Sequence, residues 1–159
     1  MFEITKYTSG QKAAWNQFVL RSKNGTFLFD RNYMDYHSDR FEDNSLMIYR
    51  KGKLYSLLPA NKAGNVLYSH QGLTYGGMIM NDKVTVAESV DMFHQLNACL
   101  KESGFEKVIY KPVPLIYHQH LAQEDLYALF RTTNAKIIGR NISSTIIQAD
   151  KIKFTESRK

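Results

Sequence analysis

The sequence predicts an α+β domain, and two observations carry this prediction. Short β-rich runs separated by turn-forming residues follow one another over 45–72, as in an antiparallel meander. Patterns with helical spacing lie before and after this region, so the predicted order is two helices, three strands, a helix, a strand, a helix and two strands. We therefore expect a mixed, mostly antiparallel central sheet flanked by helices.

Two helices are predicted before the meander. Segment 9–25 repeats apolar residues at helical spacing and ends at Gly25, a natural stop; the repeated positions are Ala14, Trp15, Phe18, Val19 and Ser22. Segment 30–41 begins with Asp30 as a cap, and its stripe holds Tyr33, Met34, His37 and Phe41. Because His37 shares the apolar stripe, a half-buried, hydrogen-bonded histidine fits better than a catalytic one.

The later elements follow from turn and cap signals. Turns are expected at 51–52 and 61–65. Thr85 and Glu88 have the spacing of a capping box, and Gly104 stops the helix that they begin; its apolar stripe is Val86, Val90, Phe93, Leu96 and Leu100. A strand over 105–114, a short helix over 124–131 and one bent or two joined strands over 135–150 complete the prediction.

Length and composition indicate one domain over 1–150. The chain has 159 residues, and 43% hydrophobic content is enough for a core. No apolar run is long enough to span a membrane and the N-terminus lacks the pattern of a signal peptide, so we expect a cytoplasmic protein. The single cysteine, Cys99, lies in a helical pattern, where a small buried hydrophobe is a commoner role than a nucleophile.

Charge is concentrated at the end of the chain. Segment 151–159 holds four basic groups and one acidic group, which accounts for half of the formal charge of +6. Such a basic tail, or start of an interdomain connector, is suited to polyanions such as RNA, a nucleotide or a membrane surface. A merely solvated terminus is the favoured explanation.

Three quoted segments carry a resemblance to a known family. They are "GTFLFDRNYMDYH" (25–37), "SHQGLTYGGMIM" (69–80) and "KPVPLIYHQHLAQEDLYALFR" (111–131). A Tyr-Gly-Gly after a glycine-rich turn, followed by a Pro-x-x-Tyr before a helix with an acidic start, resembles the FemAB-like branch of the GNAT-type acyltransferases. The likeness extends over nearly the whole chain.

The resemblance implies an acyl-CoA N-acyltransferase fold and a tandem protein of which this chain is the first, N-terminal domain. The implied partner is a second GNAT-like domain, with the working cleft at or near the junction. The implied donor of the full-length protein is acyl-CoA or aminoacyl-tRNA, and the implied acceptor is a small-molecule or cell-wall-precursor-like amine. Nucleic acid other than a tRNA donor is not expected as a partner.

Segment 69–80 is expected to bend the chain and not to hold a phosphate. No basic residue leads its Gly76–Gly77 pair, and the next helix begins eight residues later beside Glu88, so we expect no acyl-CoA bound by this domain alone. Glycines in strand patterns allow bends and close approach. The predicted groove rim is Ser69, His70, Gln71 and Tyr75, with Gly72, Gly76 and Gly77 shaping the backbone.

Further polar groups are weighed in the same way. Ser69 lacks a nucleophile motif and His70 lacks an orienting carboxylate in sequence, so a rim or structural role is expected for both. The pair His118 and His120 has no third ligand nearby, so no metal site is expected. Strand ends and loops also carry groups suited to an anionic or polar substrate, or simply to a solvated surface: Lys111, Tyr117, Arg140 and Asn141.

Three functions are consistent with these features. In the first, the intact protein moves an acyl or aminoacyl group to an amine and this half shapes the acceptor groove. In the second, the domain is a non-catalytic ligand-binding module that has lost acyl-CoA binding, which the missing pyrophosphate loop favours. The third is polyanion binding through the basic tail, although interleaved aromatic residues are lacking there.

Overall fold

A computed structural model describes residues 1–142 of the chain, except for the side chain of His37. The described helices and strands, in chain order, are β1 (Phe2–Lys6), α1 (Lys12–Arg21), α2 (Arg31–Met34), β2 (Glu42–Asp43), β3 (Leu46–Arg50), β4 (Lys53–Leu58), β5 (Asn61–Ala63), β6 (Val66–Tyr68), β7 (Ile79–Met80), α3 (Val86–Glu102), β8 (Lys107–Ile109) and α4 (Glu124–Thr132). Short 3-10 turns lie at Ser9–Gln11, Phe27–Phe29, Asp35–His37 and Leu115–Tyr117.

The α+β class is confirmed, but the strands form two sheets where one central sheet was expected. The first sheet has the order β1-β3-β4-β7 and is antiparallel throughout. The second has the order β2-β5-β6-β8, and its β6–β8 pair is parallel. The chain leaves the first sheet at Pro59, which has no N–H group to continue the ladder beyond β4.

The first sheet is buried on both faces. Successive residues of a strand point to opposite faces. Ile48 and Leu58 accordingly join a core with α3 and α4, whereas Met47 and Leu57 join a second core that includes Trp15 of α1. The sheet is therefore the middle layer of the domain, with a helix-covered core on each side.

The predicted helices α3 and α4 are confirmed, whereas α1 ends at Arg21 and not at Gly25, and Ala14 of its predicted stripe is exposed. In α1 the side chains of Trp15 and Val19 are buried, as the spacing predicts. Helix α3 begins after the cap Thr85, whose hydroxyl accepts from the Glu88 N–H group. Gly104 ends it with a φ of 83°, in the left-handed region that glycine adopts at low cost. Val86 is the one wrong member of the stripe, because its side chain is exposed.

The second predicted helix is shorter than expected. Asp30 caps it by accepting from the Asn32 N–H group at 2.8 Å, and Met34 is buried as predicted. The α-helical segment ends at Met34, and a single 3-10 turn follows. The hypothesis about His37 concerns a side chain outside the described residues.

Several strand boundaries differ from the prediction. Strand β1 was missed, although it pairs with β3 along its whole length. The turn predicted over 61–65 is confined to its last two residues, because Gly64 has a φ of 57° and reverses the chain there, so β5 lies inside the predicted turn. Residues 135–142 contain no strand, and the rest of the strand prediction for 135–150, like the tail at 151–159, lies outside the described residues.

Within residues 1–142, no helix has both the length and the apolar composition that crossing a bilayer requires.

Candidate functional site

The segment 69–78 is fastened to the chain that follows β8. The Ser69 N–H group donates to the Ile109 carbonyl at 2.9 Å, and the Ser69 hydroxyl accepts from the Lys111 N–H group at 2.7 Å. The Gly76 N–H group donates to the Lys111 carbonyl at 3.0 Å. These bonds hold residues 69 and 76 of the loop 69–77 against the same short stretch, 109–111, which explains the bend of the loop.

The glycines of this loop have a backbone role. A Cβ on Gly76 would lie 1.7 Å from the Ser69 carbonyl oxygen, so any side chain there displaces the backbone. Gly77 has a φ of 83°, and a Cβ on it would approach the Tyr110 ring to 2.9 Å. At Gly72 the ring of Phe41 leaves no space for a side chain. The loop closes only because these three positions lack a Cβ.

A buried hydrogen-bond relay connects Met78, the residue that follows the loop, to helix α4. The Met78 N–H group donates to the Tyr110 hydroxyl at 2.6 Å, and this hydroxyl donates to the Asp125 carboxylate at 2.5 Å. Burial raises the pKa of Asp125 above its usual value, and burial together with Asp125 raises the pKa of Tyr110 well above its own. The relay thus ties α4 to the loop through one tyrosine.

An aromatic platform lies on top of the loop. The ring of Tyr75 stacks on that of Tyr117 with centroids 5.2 Å apart, and it meets Phe29 edge-on at 5.9 Å. The Tyr75 hydroxyl donates to the Thr26 hydroxyl at 3.2 Å. Tyr75 is buried in the second core, whereas Tyr117 is 46% exposed, so Tyr117 presents the outer ring of the stack.

A second aromatic pair extends this surface beyond Thr26. The rings of Phe27 and Tyr33 meet edge-on at 5.5 Å, and both side chains are exposed. Aromatic faces with polar edges are suited to ring-shaped or amphipathic ligands. We call the surface formed by Thr26, Phe27, Tyr33 and Tyr117, together with the buried Tyr75 ring that stacks on Tyr117, the aromatic platform.

Lys111 joins the platform to the loop. Its ammonium group donates to the Leu73 carbonyl, and its backbone makes the bonds to Ser69 and Gly76 described above. Partial burial lowers the pKa of Lys111 from its usual value. The predicted residues Tyr75, Lys111 and Tyr117 are therefore brought together.

The other predicted residues lie elsewhere. Ser69 and His70 are buried, and His70 packs edge-on against Phe41 with a φ of 68°, so neither lies on an open rim. Gln71 is exposed and exchanges two hydrogen bonds with the Asn61 side chain, at 2.7 and 2.8 Å. Arg140, like Asn141, is exposed on the segment after α4, away from the contacts that build the platform.

Of the histidine pair 118 and 120, His118 has a structural explanation. The Ala122 N–H group donates to His118 Nδ1 at 3.3 Å, which leaves the ring proton on Nε2, and Nε2 lies 3.1 Å from the Val113 carbonyl. Both ring nitrogens are thus engaged. Within residues 1–142, no group of three or more histidine, cysteine, aspartate or glutamate side chains is placed to hold a metal ion.

The N-terminus of α3 is shielded by its own carboxylate. Glu88 contacts Arg50 and accepts from the Tyr55 hydroxyl. The Tyr55 hydrogen bond and Arg50 lower the pKa of Glu88, so this group is charged at neutral pH. At this helix end the Glu88 carboxylate is paired with Arg50 and lies where an anion would have to bind.

Several contributors to the site were missed from the sequence, among them Thr26, Tyr110 and Asp125. Thr26 lies in the first of the segments that carry the family resemblance, Tyr110 lies inside the predicted strand 105–114, and Asp125 belongs to the acidic start of a predicted helix. Their positions were visible, but the contacts join residues 15 to 49 positions apart. The usable sequence signal for the platform was the presence of aromatic residues in 26–36 and at Tyr110 and Tyr117.

A scan of protein families finds no match to this chain, and a search of curated proteins also finds none.

Proposed function

We propose that this chain is the acceptor-binding, N-terminal half of a FemAB-like N-acyltransferase with a GNAT-like fold. The intact protein transfers an acyl or aminoacyl group to an amine, and a second GNAT-like domain completes its cleft. In this proposal the protein is cytoplasmic, and its donor is an acyl-CoA or an aminoacyl-tRNA. The observation that carries the proposal is the convergence of loop 69–77, segment 110–117 and Thr26 on one exposed aromatic platform.

The backbone N–H groups of this region already donate within the protein, which supports binding of the amine acceptor and not of the acyl donor. A pyrophosphate cradle needs backbone N–H groups that point at the ligand. Here the Gly76 and Met78 N–H groups donate to the Lys111 carbonyl and the Tyr110 hydroxyl. The platform offers instead the exposed rings of Tyr117 and Phe27, against which an acceptor that carries an amine can lie.

A non-catalytic ligand-binding module is the second candidate, and one observation favours it. The nearest titratable side chains are already engaged: Lys111 donates to a carbonyl and His70 packs in a buried position against Phe41. A proton acceptor for the amine would then come from the second domain, or the chain only recognises the ligand.

The test uses isotopically labelled chain and the dipeptide Ala-Lys as an amine-bearing probe. We expect saturable amide chemical-shift changes at 26–29, 73–77 and 111–117, and we expect Tyr117→Ala to weaken binding about tenfold or more. Tyr127→Ala, an exposed tyrosine on α4, is the matched control and leaves binding unchanged. Shift changes confined to other segments would overturn the proposed acceptor site.

The two candidate functions are separated by a transfer assay. Full-length protein is incubated with acetyl-CoA and Ala-Lys, and the acetylated peptide is measured by mass spectrometry. Product that falls when Tyr117→Ala is introduced supports the enzyme. Binding of the probe without product from acetyl-CoA or from an aminoacyl-tRNA donor supports the ligand-binding module.

A further inference from the structure

A cavity of about 430 Å³ lies at the C-terminal end of α3, between β1 and the turn that joins β5 to β6. Small-molecule sites in proteins measure about 300–1,000 Å³, so the volume is sufficient for a ligand. None of its lining residues belongs to the aromatic platform. The cavity is therefore a separate feature of the molecule, which the proposed function does not use.

The floor of the cavity is apolar. Leu46 and Leu100 belong to the first core, and Ile4 and Phe105 pack against that core from the side. A ligand in the cavity would cover these side chains and remove apolar surface from water, which favours an apolar body in the ligand.

The rim of the cavity is cationic. Lys6 and Lys62 line it, and no aspartate or glutamate is among its lining residues. Lys62 is paired with the exposed Glu42 at 2.8 Å, whereas Lys6 has no ion pair within residues 1–142. The side-chain amide of Asn44 adds a neutral donor to the same rim, whereas that of Asn65 donates to the Glu106 carboxylate at 3.3 Å.

The helix end that closes the cavity does not cancel this charge. The C-terminus of a helix carries partial negative charge on its last carbonyl groups. Here the carbonyls of the last turn accept from the N–H groups of Ser103, Gly104 and Phe105, at 2.9 to 3.0 Å. The helix end therefore adds little negative charge, and Lys6 is the lining cation that has no carboxylate partner within residues 1–142, since Lys62 pairs with Glu42.

We propose that this cavity is a binding site for a small amphiphilic anion, a carboxylate or phosphate monoester carried on a short apolar chain or ring. The acidic group lies between Lys6 and Lys62, and the apolar part covers the floor formed by Ile4, Leu46, Leu100 and Phe105. Lys62 can exchange its exposed partner Glu42 for the ligand, because ion pairs at an exposed surface contribute little to stability.

Cys99 provides the test, because it is the single cysteine of the chain, lines this cavity and is partly exposed. The rate of its alkylation by iodoacetamide is measured with octanoate, octyl phosphate or octylammonium as the probe. We expect a fall of about fivefold or more in saturating octanoate or octyl phosphate, and no change with octylammonium. The arm with the lower half-saturating concentration identifies the preferred acid.

Two variants make the test specific. The double variant Lys6→Gln and Lys62→Gln is expected to raise the half-saturating concentration of the anion about tenfold. Lys53→Gln, which removes an exposed lysine of β4 outside the cavity, is the matched control and leaves it unchanged. Alkylation that neither anion slows, equal protection by octylammonium, or an unchanged affinity in the double variant would overturn the proposal.

Discussion

The loop 69–77 and the segment 134–142 are both glycine-containing connections, but they differ in how their backbones are held. Ser69 and Gly76 exchange hydrogen bonds with residues 109–111, and most side chains of that loop are buried. Segment 134–142 runs without helix or strand, and its Ile137 and Ile138 are 79% and 75% exposed. The loop thus combines backbone partners with buried side chains, whereas Ile137 and Ile138 remain exposed in the described structure.

The largest expected effect concerns Gly76. Gly76→Ala places a Cβ against the Ser69 carbonyl and should lower the free energy of unfolding by roughly 2–4 kcal/mol, because the backbone rather than a flexible side chain must move. Gly139→Ala is the matched control, since a Cβ there meets nothing within 4 Å and should change stability by less than about 0.5 kcal/mol. Urea denaturation measures the change in the free energy of unfolding for both variants. Equal changes would contradict the contrast between the loop 69–77 and the segment 134–142.

The next effect concerns the relay beneath the loop. Tyr110→Phe removes the hydroxyl that accepts from Met78 and donates to Asp125, and it leaves both buried partners without that bond. We expect a loss of about 1–3 kcal/mol in the free energy of unfolding. Tyr127→Phe, on the exposed face of α4, should be neutral in the same denaturation experiment. A neutral Tyr110→Phe would show that the relay does not support the loop.

A pH-dependent effect is expected at Asp125. Burial raises its pKa in the folded state, so the folded state holds this proton more tightly than the unfolded chain, whose carboxyl titrates near about 3.9. Below the unfolded pKa, the protonated carboxyl of Asp125 makes its full contribution to the stability of the folded state. This contribution is lost as the pH rises through the raised pKa of the folded state. The stability of the wild type relative to Asp125→Asn should therefore fall as the pH rises above about 4 and through the folded-state pKa of Asp125. A difference that stays constant or grows over this range would contradict the assignment.

The smallest effect is expected on the exposed segment. Ile138→Ser replaces a side chain that the described structure leaves in solvent, so the free energy of unfolding should change by less than about 0.5 kcal/mol. Thermal melts give the comparison with the wild type. A loss of more than about 1 kcal/mol in the free energy of unfolding would mean that Ile138 is covered in the intact protein. The segment 134–142 would then be packed, as the loop 69–77 is.

Local signals predicted much of the fold, and long-range contacts explain what was missed. Helix α3 was predictable because its cap at Thr85, its apolar stripe and its stop at Gly104 are all written within one segment. Strand β1 was missed because five residues of alternation are a weak signal, and its partner β3 lies some forty positions away. The division into two sheets depends on the break after β4, which the meander pattern alone does not specify.

The site divides in the same way. The sequence placed Tyr75 on a groove rim beside a glycine-rich bend and Lys111 and Tyr117 at strand ends and loops, and these residues do lie together. Ser69 and His70 were expected near a rim but are buried, because the bonds from the loop to 109–111 turn them inward. The role of Tyr110 could not be predicted, since it depends on the meeting of three segments that are distant in sequence.

The most direct test of the central claim, that loop 69–77 is a backbone-fastened support for the aromatic platform and not a phosphate cradle, is a calorimetric titration of the chain with acetyl-CoA. The Gly76 and Met78 N–H groups are committed within the protein, so we predict no binding in the low micromolar range. A dissociation constant of about 1 μM, equivalent to about −8 kcal/mol, that weakens in Gly76→Ala would contradict the claim and return the loop to donor binding.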